Sequence, residues 1–332
     1  MKLRAFALIL TLTLGLLAAP LPVEAQRSEK LPRIGHLSFW VPDPSDPGYP
    51  LDEAFRQGLR DLGYVEGRNI VIEYRSARRQ LDRVRGLAEE VIRLGVDVIV
   101  TSTGRSTGVV KEVTSTIPIV MMFSGDAVSQ GLVASLARPG GNVTGQTVIS
   151  PELSGKRLEI LKEALPSLSR VGFLWCPGDV VNDRSRRETE AAARLLGLEM
   201  RSLGVKSPSD LEAVLDAAIG QRVEALVVSD CPHRLSPRPV AGFAIEHRLP
   251  TMFPFGSDLK EAGGLMAYSP DLRALARRAA TYVDKILKGV KPADLPVEQP
   301  TKFQLWINLT TARALGLTIP PTVLFRADRV IK

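Results

Sequence analysis

One short segment matches a catalytic pattern in both residue types and spacing: Gly104-Arg105-Ser106-Thr107-Gly108. A G-x-S-x-G turn that follows a buried strand and opens a helix is the setting of a nucleophile elbow, which exposes a serine hydroxyl on a sharp bend. Such a serine needs an acid and a histidine, in the chain order Ser, acid, His. Only His233 and His247 follow Ser106, and no histidine follows His247. The competing chemistry is anion recognition. The unsatisfied N–H groups of a helix N-terminus at Thr103 and Gly104, with the hydroxyls of Ser106 and Thr107, suit a ligand carboxylate, and Arg105 adds charge. A plain glycine-rich cap is the third reading.

Further candidates stand where other strands end. Ser124-Gly125-Asp126 follows a strand, and Asp126 either receives a ligand ammonium or caps the helix that begins near Ser129. Phe39, Trp40, Trp175 and Phe255 are aromatic residues at strand ends, in a chain with only 5% aromatics. Rings so placed could stack on a flat ligand or simply belong to the core. Asp230 ends ALVVSD and Asn182 stands near the start of a helix; each binds polar ligand groups or caps. Ser38, Thr103 and Tyr268 complete the expected ligand-contacting set.

Positioning these residues requires a regular alternation of strands and helices, and the chain reads that way. Strands are predicted at 33–39, 69–75, 96–101 and 117–123, with helices at 51–62, 82–94 and 106–116 between them. The plan then repeats, with strands at 170–175, 199–205 and 225–229 and helices at 184–196 and from 208 to 220. IPIVMMFSGD at 117–126 and LPTMFPFGSD at 249–258 show the duplication most plainly. The predicted fold class is α/β, with two doubly wound, Rossmann-like lobes built on parallel sheets. A long helix at 271–287 and an extended segment at 296–306 predict that the chain crosses between lobes more than once. The expected division is 26–148 plus about 268–292 for the N-terminal lobe, and 149–267 plus about 293–332 for the C-terminal lobe.

Composition excludes several classes. With 332 residues, 45% hydrophobic and 24% charged, the chain is neither disordered nor fibrous and is long enough for two cores. The formal charge of +7 is carried by scattered Lys and Arg without interleaved aromatics, so no nucleic-acid partner is expected. No G-x-G-x-x-G, Walker A or H-E-x-x-H pattern occurs, and no metal or cofactor is expected. Residues 1–25 read as a secretory signal peptide: Lys2 and Arg4, an apolar run from Ala5 to Ala19, Pro20 and Pro22, then Val23-Glu24-Ala25. No membrane span is expected after its removal, which places the protein in the periplasm or secreted.

Several long, collinear segments carry a family resemblance: FRQGLRDLGYVEGRN at 55–69, GLVASLARPGGNVTG at 131–145, ELSGKRLEILK at 152–162, and the stretches 282–308 and 315–320. The chain resembles the substrate-binding proteins of bacterial ABC importers, in the type I periplasmic-binding branch that includes tryptophan- and tyrosine-binding members. The resemblance implies two lobes joined by three crossings and a small solute bound in the cleft between them. It also implies delivery to a membrane permease driven by a cytoplasmic ATPase. The chain departs from the family at Arg105, where Thr-Pro-Ala-Ala is usual, at Ala127 after Asp126, and at Cys176 and Asp179, where Asn is frequent. The expected function is capture of a small solute, such as an amino acid or aromatic carboxylate, by hinge closure rather than by catalysis. A secreted serine hydrolase using Ser106 and a sensory module using the same cleft are the alternatives.

The chain has two cysteines. Cys176 follows the first strand of the second lobe and Cys231 the third. In a 2-1-3 strand order these strands are neighbours, about 4.8 Å apart, within reach of a disulfide. The alternative is two buried thiols.

Overall fold

The computed structural model describes residues 31–40, 50–231 and 234–332. The expected leader, the loop after Trp40 and His233 lie outside the described residues. The first lobe runs β1 (Arg33–Ser38), α1 (Pro50–Asp61), β2 (Val71–Ser76), α2 (Arg83–Arg93), β3 (Val98–Thr101), α3 (Gly104–Val113), β4 (Ile119–Met121) and β5 (Val143–Gly145). The second runs α4 (Ser150–Ala164), β6 (Arg170–Trp175), α5 (Val180–Leu195), β7 (Glu199–Gly204), α6 (Leu211–Gly220), β8 (Ala225–Val228), α7 (Pro237–Glu246), β9 (Thr251–Phe253), α8 (Gly256–Ala262) and β10 (Met266–Pro270). The chain ends with α9 (Leu272–Leu287), β11 (Phe303–Asn308), α10 (Leu309–Ala314), α11 (Pro321–Phe325) and β12 (Arg329–Ile331).

Two sheets result, with strand orders β2-β1-β3-β4-β5 and β12-β11-β10-β9-β8-β6-β7. All pairings are parallel except β10 with β11. Both sheets are covered on two faces, which is why strands such as VIVT and ALVV are buried throughout. On one face of the first sheet, Ile34, Val98, Val100 and Val120 meet Phe55 and Leu59 of α1 and Ala276, Ala279 and Val283 of α9. On the other, Leu37, Ile99 and Met121 meet Ala88 and Val91 of α2 and Val110 of α3. Helix α1 approaches α9 so closely that a Cβ on Gly58 would lie 2.4 Å from the Arg277 carbonyl oxygen.

The chain crosses between lobes three times. Tyr268 lies in β10 of the second sheet, while Leu295 and Val297 are buried in the first lobe's core. The first and third run side by side: Thr147 donates its N–H to Glu298 O at 3.0 Å, and Glu298 donates to Gly145 O at 3.0 Å. The Gln146 amide fastens this strap to Met122 O and Leu275 O at 3.0 and 2.7 Å. Ile149, at the end of the first crossing, has φ +47°, an unusual conformation for a β-branched residue. Helix α5 begins earlier than the expected Arg184, because the Asp179 carboxylate accepts the N–H groups of Val181 and Asn182, each at 3.0 Å, and so caps it. No described helix is long and apolar enough to cross a membrane.

Candidate functional site

Parallel strands end together at one edge of each sheet, and the two edges face each other across a cleft. Two compartments, of about 540 and 360 Å³, share Trp40 and Asp230 in their walls. In the larger, the first lobe contributes Phe39, Thr103, Gly104, Arg105, Phe123 and Ser124, and the second contributes Asp179 and Asn182. In the smaller, Arg79 and Trp40 face Leu235, Phe253, Phe255 and Asp258. The Arg79 guanidinium stands over the Trp40 ring, 5.4 Å from its centroid.

Helix α3 brings its N-terminus to the cleft, but not the hydroxyls expected there. Thr103 is the cap: its Oγ1 accepts the Ser106 N–H at 3.1 Å and donates to Ser106 Oγ at 2.9 Å. Thr107 turns inward, its Oγ1 donating to Thr103 O at 2.8 Å and lying 2.7 Å from Thr101 Oγ1. Ser106 is 1% exposed and Thr107 wholly buried, with both hydroxyls engaged by the cap, and Ser106 is not presented as a nucleophile. His247 packs its ring on Phe243, with centroids 4.2 Å apart. The cleft instead sees Thr103, Gly104 and Arg105.

Four other expected contacts lie elsewhere. Ser38 Oγ donates to Asp52 at 3.3 Å, inside a buried cluster with His36 and Tyr74. Trp175, last in β6, bonds Ser202 Oγ through Nε1 at 2.8 Å and carries Arg186 over its ring, because strand alternation puts it on the sheet face shared with Phe173 and, on β7, Ser202. Tyr268 stacks on Phe303. Asp126 accepts Ser129 N–H at 3.1 Å and Arg184 Nη1 at 2.7 Å, so it caps a turn and pairs across the lobes without lining the cleft. Phe39, Trp40, Thr103, Gly104, Ser124, Asn182, Asp230 and Phe255 do line it. Arg79, Phe123, Gln130, Phe253 and Asp258 were not anticipated. Phe123 and Phe253 follow from the strand-end rule already applied to Phe39.

The polar atoms of the cleft are unevenly satisfied. Ser124, 1% exposed, has an Oγ with no hydrogen-bond partner among the described residues, and so does the buried Gln130 Oε1. The Gln130 amide lies against the start of α3: a Cβ on Gly104 would meet Oε1 at 2.3 Å. Asn182 Oδ1 accepts Ser229 Oγ–H at 2.6 Å, and its Nδ2 donates to Asp230 O at 3.1 Å. Burial pushes the Asp230 carboxyl up to about 6; Arg157 opposes the rise and Asp179 adds to it. Burial also disfavours an ionised Asp179, but the Asn182 N–H and the Arg105 guanidinium outweigh it and hold that carboxyl below the usual range. Cys176 and Cys231 are joined by a disulfide, with Cα atoms 6.3 Å apart, which ties together the turns after β6 and β8.

The end of α5 clamps the lobes together. Asp179 accepts Arg105 Nε at 2.8 Å, Arg184 reaches Asp126, and Val181 fills the space beside Gly125, where a Cβ would lie 2.9 Å from Val Cγ1. Each lobe thus supplies one arginine and one aspartate. An Arg105→Gln/Arg184→Gln variant is expected to shift the unliganded protein toward an open form, visible as an increased radius of gyration in X-ray scattering. A scattering curve identical to wild type would remove the clamp. The effect should weaken with salt, because both arginines are about a third exposed.

Known proteins resemble this chain along most of its length. The tyrosine-binding protein of Clostridioides difficile (strain R20291) is 27% identical over 295 residues, covering 87% of this chain and 82% of that protein. A conserved domain protein of Vibrio cholerae superposes with a TM-score of 0.81 at 25% identity, over 91% of this chain and all of the other. A Streptococcus pneumoniae ABC domain solved in complex with L-Trp superposes with a TM-score of 0.82 at 24% identity, over the same shares. The profile of the ABC transporter substrate binding proteins matches residues 46–331. Two parallel sheets facing across a clamped cleft, and a match along nearly the whole chain, have one consequence: this protein belongs to the ABC transporter substrate binding protein family.

Proposed function

We propose that the protein is exported, captures a zwitterionic amino acid with an aromatic side chain in the cleft, and hands it to an ABC permease and its ATPase. The observation that carries this reading is the opposition of two unlike groups in one compartment. The first lobe offers the N-terminus of α3, with the unpartnered Ser124 Oγ and the Gln130 amide close by, and the second offers Asp230. A carboxylate suits the free N–H groups of the helix, and an ammonium suits the aspartate. Phe39, Trp40 and Phe123 then provide apolar faces for a ring, and the Phe253–Phe255 compartment extends the same wall. The related tyrosine-binding protein and the L-Trp complex point to the same solute class.

The test is thermal unfolding with a panel of L-tyrosine, L-tryptophan, L-phenylalanine and aliphatic amino acids. A ligand at a thousand times its dissociation constant stabilises by about 4 kcal/mol, a shift of several degrees. Absence of a shift with every amino acid would reject the reading. Trp175→Ala should leave the shift intact, since that ring faces β7 and not the cleft.

A further inference from the structure

The bulkiest side chain withdrawn from solvent is a charged one. Arg157, on α4 of the second lobe, is 2% exposed. Its Nε donates to Tyr268 O at 2.9 Å and its Nη2 to Pro254 O at 3.2 Å. Pro254 and Asp258 line the smaller compartment, and Asp230 lines both. Through Pro254 the guanidinium is therefore fixed behind the wall of the compartment that Asp230 and Asp258 also line. Taking a guanidinium out of water costs far more than burying an apolar side chain of equal volume. Packing alone gives no reason for an arginine here.

We propose that Arg157 is a positioning residue of the ligand site, supplying the buried positive charge against which Asp230 stays ionised to receive the ammonium of the solute. This rests on the amino-acid reading above. The charged groups around Asp230 single Arg157 out. On α5, Asp179 is negative and already engaged by Arg105, while Asn182 holds only the Asp230 backbone carbonyl. On α4, Ser150 Oγ reaches Asp230 Oδ2 at a long 3.4 Å. Asp258 of α8 is a second acid acting on Arg157, and Arg79 lies over Trp40. Burial favours a neutral Asp230, and the Arg157 charge opposes this more than the Ser150 hydrogen bond does. Burial lowers the guanidinium itself only to about 10, so it remains charged at neutral pH.

The experiment follows the Asp230 carboxyl by carbon-detected NMR in the unliganded protein, together with L-tyrosine affinity by calorimetry from pH 5 to 8. In the wild type the carboxyl should titrate near 6, and affinity should fall below that pH. In Arg157→Gln both midpoints should rise by about one unit or more, and in Arg157→Lys, which keeps the charge, they should stay close to wild type. In an Asp230→Asn background, Arg157→Gln should cost no further affinity. An unmoved Asp230 midpoint, or an equal affinity loss in both backgrounds, would overturn the proposal and leave Arg157 merely structural. Should Arg157→Gln not fold, recovery of folding in the Asp230→Asn/Arg157→Gln double variant supports the coupling, and a double variant as unfolded as the single one overturns it. A shifted midpoint without any L-tyrosine binding would uphold the charge coupling and reject the amino-acid reading instead.

Discussion

Asp230→Asn is expected to weaken L-tyrosine binding by about a hundredfold, roughly 2–3 kcal/mol, the usual loss when one partner of a desolvated charge pair is truncated. The amide keeps the size of the carboxylate, so the wall and the bond from Asn182 to the Asp230 carbonyl should survive. The loss should be specific to the ammonium. 3-(4-Hydroxyphenyl)propionate, which lacks it, should bind the variant at least as well as the wild type, because a negative charge has left the cleft. Equal losses for both compounds, measured by calorimetry, would show that Asp230 does not read the ammonium. The pH dependence has two opposite signs. The folded-state value near 6 lies above the ordinary 3.8, so this one carboxyl favours the folded, unliganded state most below about pH 4, and that contribution is lost as pH rises toward and through 6. Ligand affinity needs the ionised form and should rise over the same interval. Thermal unfolding with and without L-tyrosine, from pH 4 to 7, separates the two trends.

Gly145→Val should prevent stable folding. Gly145 ends β5 with φ +126°, and a Cβ there would lie 2.1 Å from Met121 O and 2.8 Å from Met121 N. The obstruction is backbone of the neighbouring strand, which cannot rotate away like a side chain. Strain at φ adds about 1–3 kcal/mol, and separating β4 from β5 also loosens the Gly145–Glu298 bond of the crossing strap. The combined loss should exceed about 4 kcal/mol, a large part of the stability of an ordinary domain. Urea unfolding within about 1 kcal/mol of wild type would contradict this.

Local signals were enough for the scaffold. Strands at 33–38 and 170–175 follow from apolar runs between polar turns, and α9 follows from Asp271 and a helical apolar stripe, because periodicity and capping act within a few residues. The match between the segments before Asp126 and Asp258 was enough to divide the chain into two sheets. The place of the cleft also follows, since parallel strands open toward ligands at their carboxyl ends. What those signals could not decide is which way the strand-end side chains point. Ser106 and Thr107 stand beside Thr103 in sequence, yet their hydroxyls are consumed by the cap while Gly104 and Arg105 face the ligand space. Trp175 and Phe39 occupy similar strand ends, and pleating sends one toward β7 and the other into the cleft.

Arg157 was illegible for a different reason. With Lys156 before it and Glu159 two residues after it, it reads as one more residue on a solvated helix face. Only the packing of α4 against the carbonyls of Pro254 and Tyr268, about a hundred residues away in the chain, shows it buried behind the cleft wall. The chain by itself determined two lobes, their order and the sheet edges that face each other across the cleft, because these depend on local hydrogen bonding and hydrophobic periodicity. The tertiary structure alone decided which charges meet, Arg105 with Asp179 and Arg184 with Asp126, and that Arg157 is buried behind the wall that Asp230 lines. Electrostatic partnership depends on distance and burial between segments far apart in sequence, and no local pattern encodes it.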